Sequence, residues 1–381
     1  MIVLNDNMFL QINKMSLESA PKRPKLTNAM HRTVTTRSSY LRTVMNEVSD
    51  EIWLKILGHL SIVDISRVGA TCTRLYILSK DLSLWETLHF DIASMSSSLG
   101  AVESIIDRGA NVKEMRFTNL KNKKFDSMAV VSLIVRARKT MKVLILSCGI
   151  ELENVAVARL GCLVRLEVLK LVMERISTSG VKAIAKLKNL KEFTIPLSFP
   201  SLKDKDLRYL FGELKNLVVV DLCYIEIAKD TFKTLAQNNP SLETVNLPYC
   251  CMAGNSSQKP SLKDITENCP NLKHLNLSGW EGIDDDDINS LVQSKKLLHL
   301  NFSWCNQTTQ MTDNMLLNIS KNCSELKYLG LRGLIVKYDF IKALAQNCPF
   351  LRHVQIRGFE YPGNIIQKED FGYGHIVFTN D

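Results

Sequence analysis

The sequence predicts an α/β protein in which stacked strand–helix units form a solenoid behind a short module of three helices. Three observations predict it. A phrase of the form Leu-x-x-Leu-x-Leu recurs ten times, most recurrences lead into a run with helical periodicity, and the forty residues ahead of them carry apolar stripes at helical spacing.

The repeat is most legible where the chain copies itself. NCPNLKHLNL from Asn268 returns as NCSELKYLGL from Asn322 and as NCPFLRHVQI from Asn347. The first apolar residue of each phrase falls at Val112, Met141, Leu166, Leu190, Leu217, Leu242, Leu272, Leu297, Leu326 and Leu351, with successive steps of 29, 25, 24, 27, 25, 30, 25, 29 and 25 residues. Alternation within a phrase, as in Leu275-x-Leu277, gives a short strand with one buried face. Helical patterns follow, including DINSLVQSKK from Asp287, NMLLNISKNC from Asn314 and DFIKALAQNC from Asp339. One such unit cannot bury its own apolar side, whereas parallel neighbours share a continuous core, with strands inside a curve and helices outside. A horseshoe is therefore expected.

Cys269, Cys323 and Cys348 share one place, three residues before the first leucine of a phrase, and read as small apolar core groups that close a helix. Of the ten cysteines, none forms a CxxC pair, so neither zinc nor a disulfide framework is expected. The phrases resemble cysteine-containing leucine-rich repeats over about Val112–Phe359. In that resemblance Trp280 and Cys305 stand where a buried Asn or Cys commonly sits.

Strand alternation assigns the residues between and just after the leucines to the concave face. In the later units that face carries His274, Asn276, Ser278, His299, Asn301, Ser303, Trp304, Tyr328, Arg332, His353, Gln355 and Arg357, the candidate substrate-binding set. Earlier units present Val143, Ile145, Val168, Val172 and Val219, a more apolar half. Trp304 between two arginines is the type of residue that dominates interfaces. Residues 360–381, with Tyr361, Phe371, Tyr373 and Phe378, are expected to cap the last repeat or to fold back over the face.

Charge locates a different feature. The net charge is +9, but residues 1–45 hold seven Lys/Arg against two Asp/Glu, which leaves +4 for the other 336 residues. The basicity belongs mostly to a polar tail without apolar periodicity, expected to be disordered, and it argues against nucleic acid as the main partner. Lys22, Arg23 and Lys25 match a short nuclear-import cluster, a composition that solvated tails also show. No signal peptide or membrane span is expected, so the protein reads as cytoplasmic, nuclear or both.

The helical module spans residues 46–90. Ser49 can cap a first helix with Asp50 and Glu51 in its first turn, and Ile52, Trp53, Ile56, Leu57 and Leu60 form its stripe. A second helix is expected from about Asp64, with Ile65, Val68 and Cys72, and a third through Leu75, Leu78, Leu84, Trp85 and Leu88. Forty residues is near the lower limit for a self-sufficient core, and apolar residues are left over on the outer side. This segment resembles an F-box, on Val48-Ser49-Asp50-Glu51-Ile52, then Val68, Cys72 and Arg74, and finally Ser83-Leu84-Trp85. Val48-Ser49 replaces the usual Leu-Pro, and Leu75 replaces a frequent Trp. The resemblance implies docking on the S-phase kinase-associated adaptor of SCF cullin–RING ubiquitin ligases through Val48, Ile52, Leu54, Leu57, Leu60, Leu84 and Trp85. The solenoid of about ten repeats, residues 91–359, would then hold a protein substrate for ubiquitination and proteasomal degradation.

No catalytic residue, cofactor or metal site is expected in such a receptor. The chain lacks GxGxxG, P-loop, GxSxG and HExxH motifs, and His274, His299 and His353 recur at one repeat position as surface strand residues. The run Asp284–Asp287 reads as a solvated helix cap rather than a calcium loop. A repeat-built scaffold or nuclear regulator that meets no ligase is the alternative.

Overall fold

The computed structural model describes residues 47–91, 99–107, 109, 111–118, 127–147, 154–172, 176–195, 202–250, 259–305, 312–361, 364–366 and 376–379. The Lys22, Arg23 and Lys25 cluster lies outside them. The chain divides into residues 1–52 and 53–381.

The helical module comprises α1 (Asp50–Gly58), α2 (Ile62–Gly69), α3 (Thr73–Leu78) and a 3-10 turn (Leu82–Trp85). The Ser49 hydroxyl accepts from the Ile52 N–H, and Ser61 caps α2 by accepting from Asp64 N–H at 3.2 Å, which satisfies donors that a helix start leaves open. Trp53, Ile56, Leu57, Val68, Leu75 and Leu78 are buried. The third helix ends earlier than expected, and Leu88 lies on a strand instead. The sequence TLHFD alternates at period two and finds a partner strand, which decides against helix.

That strand, β1 (Thr87–Asp91), opens a thirteen-stranded sheet among the described residues: β2 (Glu114–Thr118), β3 (Val143–Leu146), β4 (Val168–Leu171), β5 (Glu192–Ile195), β6 (Val219–Leu222), β7 (Thr244–Asn246), β8 (His274–Asn276), β9 (His299–Asn301), β10 (Tyr328–Lys337), β11 (His353–Tyr361), β12 (Asn364–Ile366) and β13 (Val377–Thr379). Strands β1 to β11 pair in chain order and in parallel, with helical segments between them. All ten residues that align the phrase, from Val112 to Leu351, are 1% exposed or less. Sheet and helices close over one continuous apolar cluster.

Trp85 belongs to this cluster, together with Leu88 and Phe90. Trp85-x-x-Leu88-x-Phe90 has the spacing of Val112-x-x-Met115-x-Phe117, so a further unit precedes the ten that the sequence phrase identifies. At the other end, β13 pairs with β11 in the register His353↔Val377, and Ile376 joins the core cluster. These tail residues continue the sheet beside the last repeat.

Two side-chain ladders tie the units together. Glu86–Lys113, Lys142–Glu167–Lys191 and Glu243–Lys273 ion pairs, at 2.7 to 2.8 Å, occupy the positions just ahead of their strands. Inside, Cys250, Trp280 and Cys305 stand at one repeat position. Their Sγ, Nε1 and Sγ donate to the carbonyls of Leu222, Leu247 and Leu277, one unit back, at 3.4, 2.6 and 3.1 Å. Cys269 and Cys348 are fully buried at helix ends, their thiols directed at backbone carbonyls of the preceding unit.

Candidate binding surfaces

The strand register builds the open face of the sheet, opposite the helices. His274, His299, Tyr328 and His353 share one row, and Asn246, Asn276, Asn301, Gly330 and Gln355 share the row two residues on. Neighbouring strands lie about 4.8 Å apart, so planar side chains in one row stack. The His274 and His299 rings lie 4.4 Å apart, and His299 stacks on Tyr328 at 5.8 Å. Tyr328 donates its hydroxyl hydrogen to Gln355 Oε1 at 2.7 Å, which continues the row to β11. Partial burial, with Lys273 and Lys327 nearby, lowers the pKa of His274; partial burial, with His274 and Lys327 nearby, lowers that of His299. Both shifts favour the neutral imidazole.

A groove of about 370 Å³ runs across this face, from Asp221 on β6 to Tyr328 on β10. Its asparagines also serve the backbone. Asn276 Oδ1 accepts from Ser278 N–H at 3.0 Å, and Asn301 Oδ1 accepts from Ser303 N–H at 2.9 Å, so each carboxamide forms the turn that ends its strand. Ser278 and Ser303 are buried in those turns rather than displayed. The valines of the earlier units, with Ile145, are half-buried on the same face.

Past the ends of β6 to β9, and within β10 at Gly333, runs a row that the sequence reading found only at Trp304. Tyr224, Tyr249, Gly279, Trp304 and Gly333 all have positive φ, between 56° and 84°, and each lies two residues after the last leucine or phenylalanine of its strand phrase. Tyr224 and Tyr249 stack at 4.9 Å, Tyr249 covers Gly279, and the Trp304 ring covers Gly333 while remaining 39% exposed. The available signal was the spacing DLCY, NLPY, NLSG, NFSW, GLRG. The pattern of leucines hides it because the residue type varies between aromatic and glycine. Arg332 is half-buried, His353 is exposed, and the side chain of Arg357 on β11 lies outside the described ones.

On the helical module the candidate docking residues separate. Leu57 is fully buried and Trp85 is 2% exposed in the solenoid core, so both serve the chain's own packing, a correction to their expected role on the adaptor. Leu60 and Leu84 are partly buried against the core, and Val48 and Leu54 are half-buried. Ile52 is 39% exposed, and Tyr76, Ile77 and Leu82, which the sequence reading passed over, are 50%, 64% and 43% exposed.

Asp284–Asp287 corrects another expectation. Asp284 and Asp287 form a reciprocal capping box, but Asp287 is buried, accepts from Leu262 N–H at 2.9 Å and pairs with Lys259 at 2.5 Å. It is a structural carboxylate between units. Among the described residues, no cluster of His, Cys, Asp and Glu is placed to hold a metal, and no helix is long and apolar enough to cross a membrane.

Residues 50–91 match the F-box-like family. A 156-residue stretch is 32% identical to the DNA repair protein RAD7 of Saccharomyces cerevisiae and covers 40% of this chain and 24% of that protein. The chain thus spans about a quarter of that relative's length. An internalin of Listeria monocytogenes superposes with a TM-score of 0.46 at 14% identity, covering 78% of this chain and 88% of the internalin. The yeast Rad7 and Elc1 complex gives a TM-score of 0.46 at 15% identity, covering 100% of this chain and 99% of that one. Residues 50–91 thus match the F-box-like family, and parallel strands joined by helices follow them.

Proposed function

We propose that this F-box-like, leucine-rich-repeat chain is the non-catalytic substrate receptor of an SCF-type cullin–RING ubiquitin ligase, working in the cytoplasm, the nucleus or both. The F-box-like match at residues 50–91 carries the reading, supported by the exposed Ile77 and Leu82 on that same module. The helices dock on the S-phase kinase-associated adaptor, and the open face of the solenoid holds the protein to be modified. The receptor acts by effective concentration: it keeps substrate lysines near a charged conjugating enzyme and supplies no acid, base or nucleophile of its own.

The test is co-purification of the full chain with the adaptor and cullin. Ile77→Asp and Leu82→Asp should abolish retention while leaving the circular-dichroism spectrum unchanged. Leu57→Asp serves as the contrast, because it places a charge in the core and should unfold the module. Elc1, the partner named for the yeast protein, is a second bait. Retention of neither adaptor by the full chain would sink the ligase reading and leave a repeat-built scaffold.

A further inference from the structure

The polar half of the open face is more specific than its exposure implies. Asn276 and Asn301 are fixed in orientation, since each Oδ1 accepts a backbone N–H in its turn. Each Oδ1 is thereby occupied, and among the described residues no hydrogen bond engages either NH2, which keeps its donors for a ligand. The imidazoles of His274 and His299 bring at least one N–H each. Lys327, at the strand edge, lies close enough to lower the pKa of both histidines and forms no ion pair among the described residues, whereas Lys273 is paired to Glu243 at 2.7 Å. The surface over β8 to β10 is thus rich in donors, with unspent positive charge beside it.

The opposite end of the groove has the other polarity. Asp221 on β6 brings a carboxylate, which accepts from Asn246 Nδ2 at 2.6 Å. Two strand spacings, about 10 Å, separate β6 from β8, close to the length of three residues of extended chain. Donor groups spaced at the strand pitch, one N–H or NH2 at a time, suit carboxylates along an extended segment. A phosphate dianion would instead call for the guanidinium forks that this groove lacks among its lining residues.

We propose that the groove over His274, Asn276, His299 and Asn301 binds an extended peptide segment rich in Asp or Glu, with its acidic side chains over β8 to β10 and away from Asp221. This rests on the substrate-receptor reading for its biological meaning, though the chemistry of the groove stands apart from the helical module. Neutral amide and imidazole donors discriminate carboxylates without the desolvation cost that a buried guanidinium would add.

The test uses the full chain and three fluorescein-labelled octapeptides, alternating Glu-Gly, Lys-Gly and phosphoserine-Gly, in fluorescence anisotropy at low salt. The Glu peptide should bind at least tenfold more tightly than the Lys peptide. His274→Phe with His299→Phe, which keeps the stacked rings and removes the N–H groups, should weaken it about tenfold. Asp221→Asn should strengthen it severalfold, a gain that a damaged fold would not produce. Equal binding of Glu and Lys peptides, insensitivity to the double substitution, or a phosphoserine peptide tighter than the Glu peptide would each overturn the assignment. Adaptor retention measured on the same proteins separates the two readings. Peptide binding without adaptor binding ends the ligase reading alone, and adaptor binding without Glu-peptide binding ends this one alone.

Discussion

Gly279 lies beneath the ring of Tyr249: a Cβ at residue 279 would stand 2.1 Å from Tyr249 Cδ1, and the glycine backbone has φ of +73°. Both conditions exclude a side chain, the second because the left-handed region is strained for residues with a Cβ. Tyr249 is partly exposed, so its ring can swing away. Gly279→Ala should therefore cost about 1–2 kcal/mol from backbone strain. Tyr249 should also leave its stack on Tyr224. Urea denaturation gives the first quantity, and the tyrosine near-ultraviolet dichroism reports the second.

Trp280 donates its indole N–H to the buried carbonyl of Leu247 at 2.6 Å. Trp280→Phe keeps much of the apolar volume, including the edge contact with Phe232, but leaves that carbonyl without its donor. The expected loss is about 1–3 kcal/mol of unfolding free energy, the usual cost of an orphaned buried acceptor. A loss below about 0.5 kcal/mol would show that the ladder is incidental to stability.

Burial raises the thiol pKa of Cys250, Cys269 and Cys323 to about 12 and of Cys348 to about 11, from 9.0. At pH 8 these groups carry almost no thiolate, the reactive form. Alkylation of the native protein should label exposed Cys72 first and spare these four until denaturant is added, as read by peptide mass mapping. The same shift has a stability consequence. The unfolded chain releases the thiol proton near pH 9, before the folded chain does, so stability is intact below pH 9 and falls as pH rises toward 12.

Glu167 sits between Lys142 and Lys191, at 2.7 and 2.8 Å, and their hydrogen bonds, Lys142 first, hold its carboxyl down to about 2 from 4.5. A depressed carboxylate stabilises the fold above its unfolded pKa, so this contribution is present above about pH 4.5 and disappears as pH falls through about 2. The partners are more than half exposed, which limits the effect to at most about 1 kcal/mol at low salt. Glu167→Gln should match the parent at pH 2, fall below it at pH 7, and converge with it in 1 M salt. Chemical denaturation at those three conditions checks all of it.

What the sequence determined by itself was periodic. Ten phrases at a near-constant step required parallel strands stacked on helices, and the residues from Val112 to Leu351 that mark them are all buried, because a leucine every repeat has no other way to leave water. The cysteines of the repeated phrase read correctly as core for the same reason. So did the cap at Ser49, whose signal is local.

Tertiary structure decided whatever depended on a neighbouring unit. Trp85 looks like the end of a helical module in sequence, yet it fills the first core position of an extra repeat, because Thr87–Asp91 finds β2 beside it. Asp287 looks solvated within a run of four aspartates, yet its partners, the Leu262 N–H and Lys259, come from the unit before. The succession of aromatics and glycines from Tyr224 to Gly333 has meaning only when each ring lies over the next unit's turn. A one-dimensional reading sees the period of a solenoid; the contacts across that period, which decide which side chains are displayed and which are enclosed, exist only once the units stack.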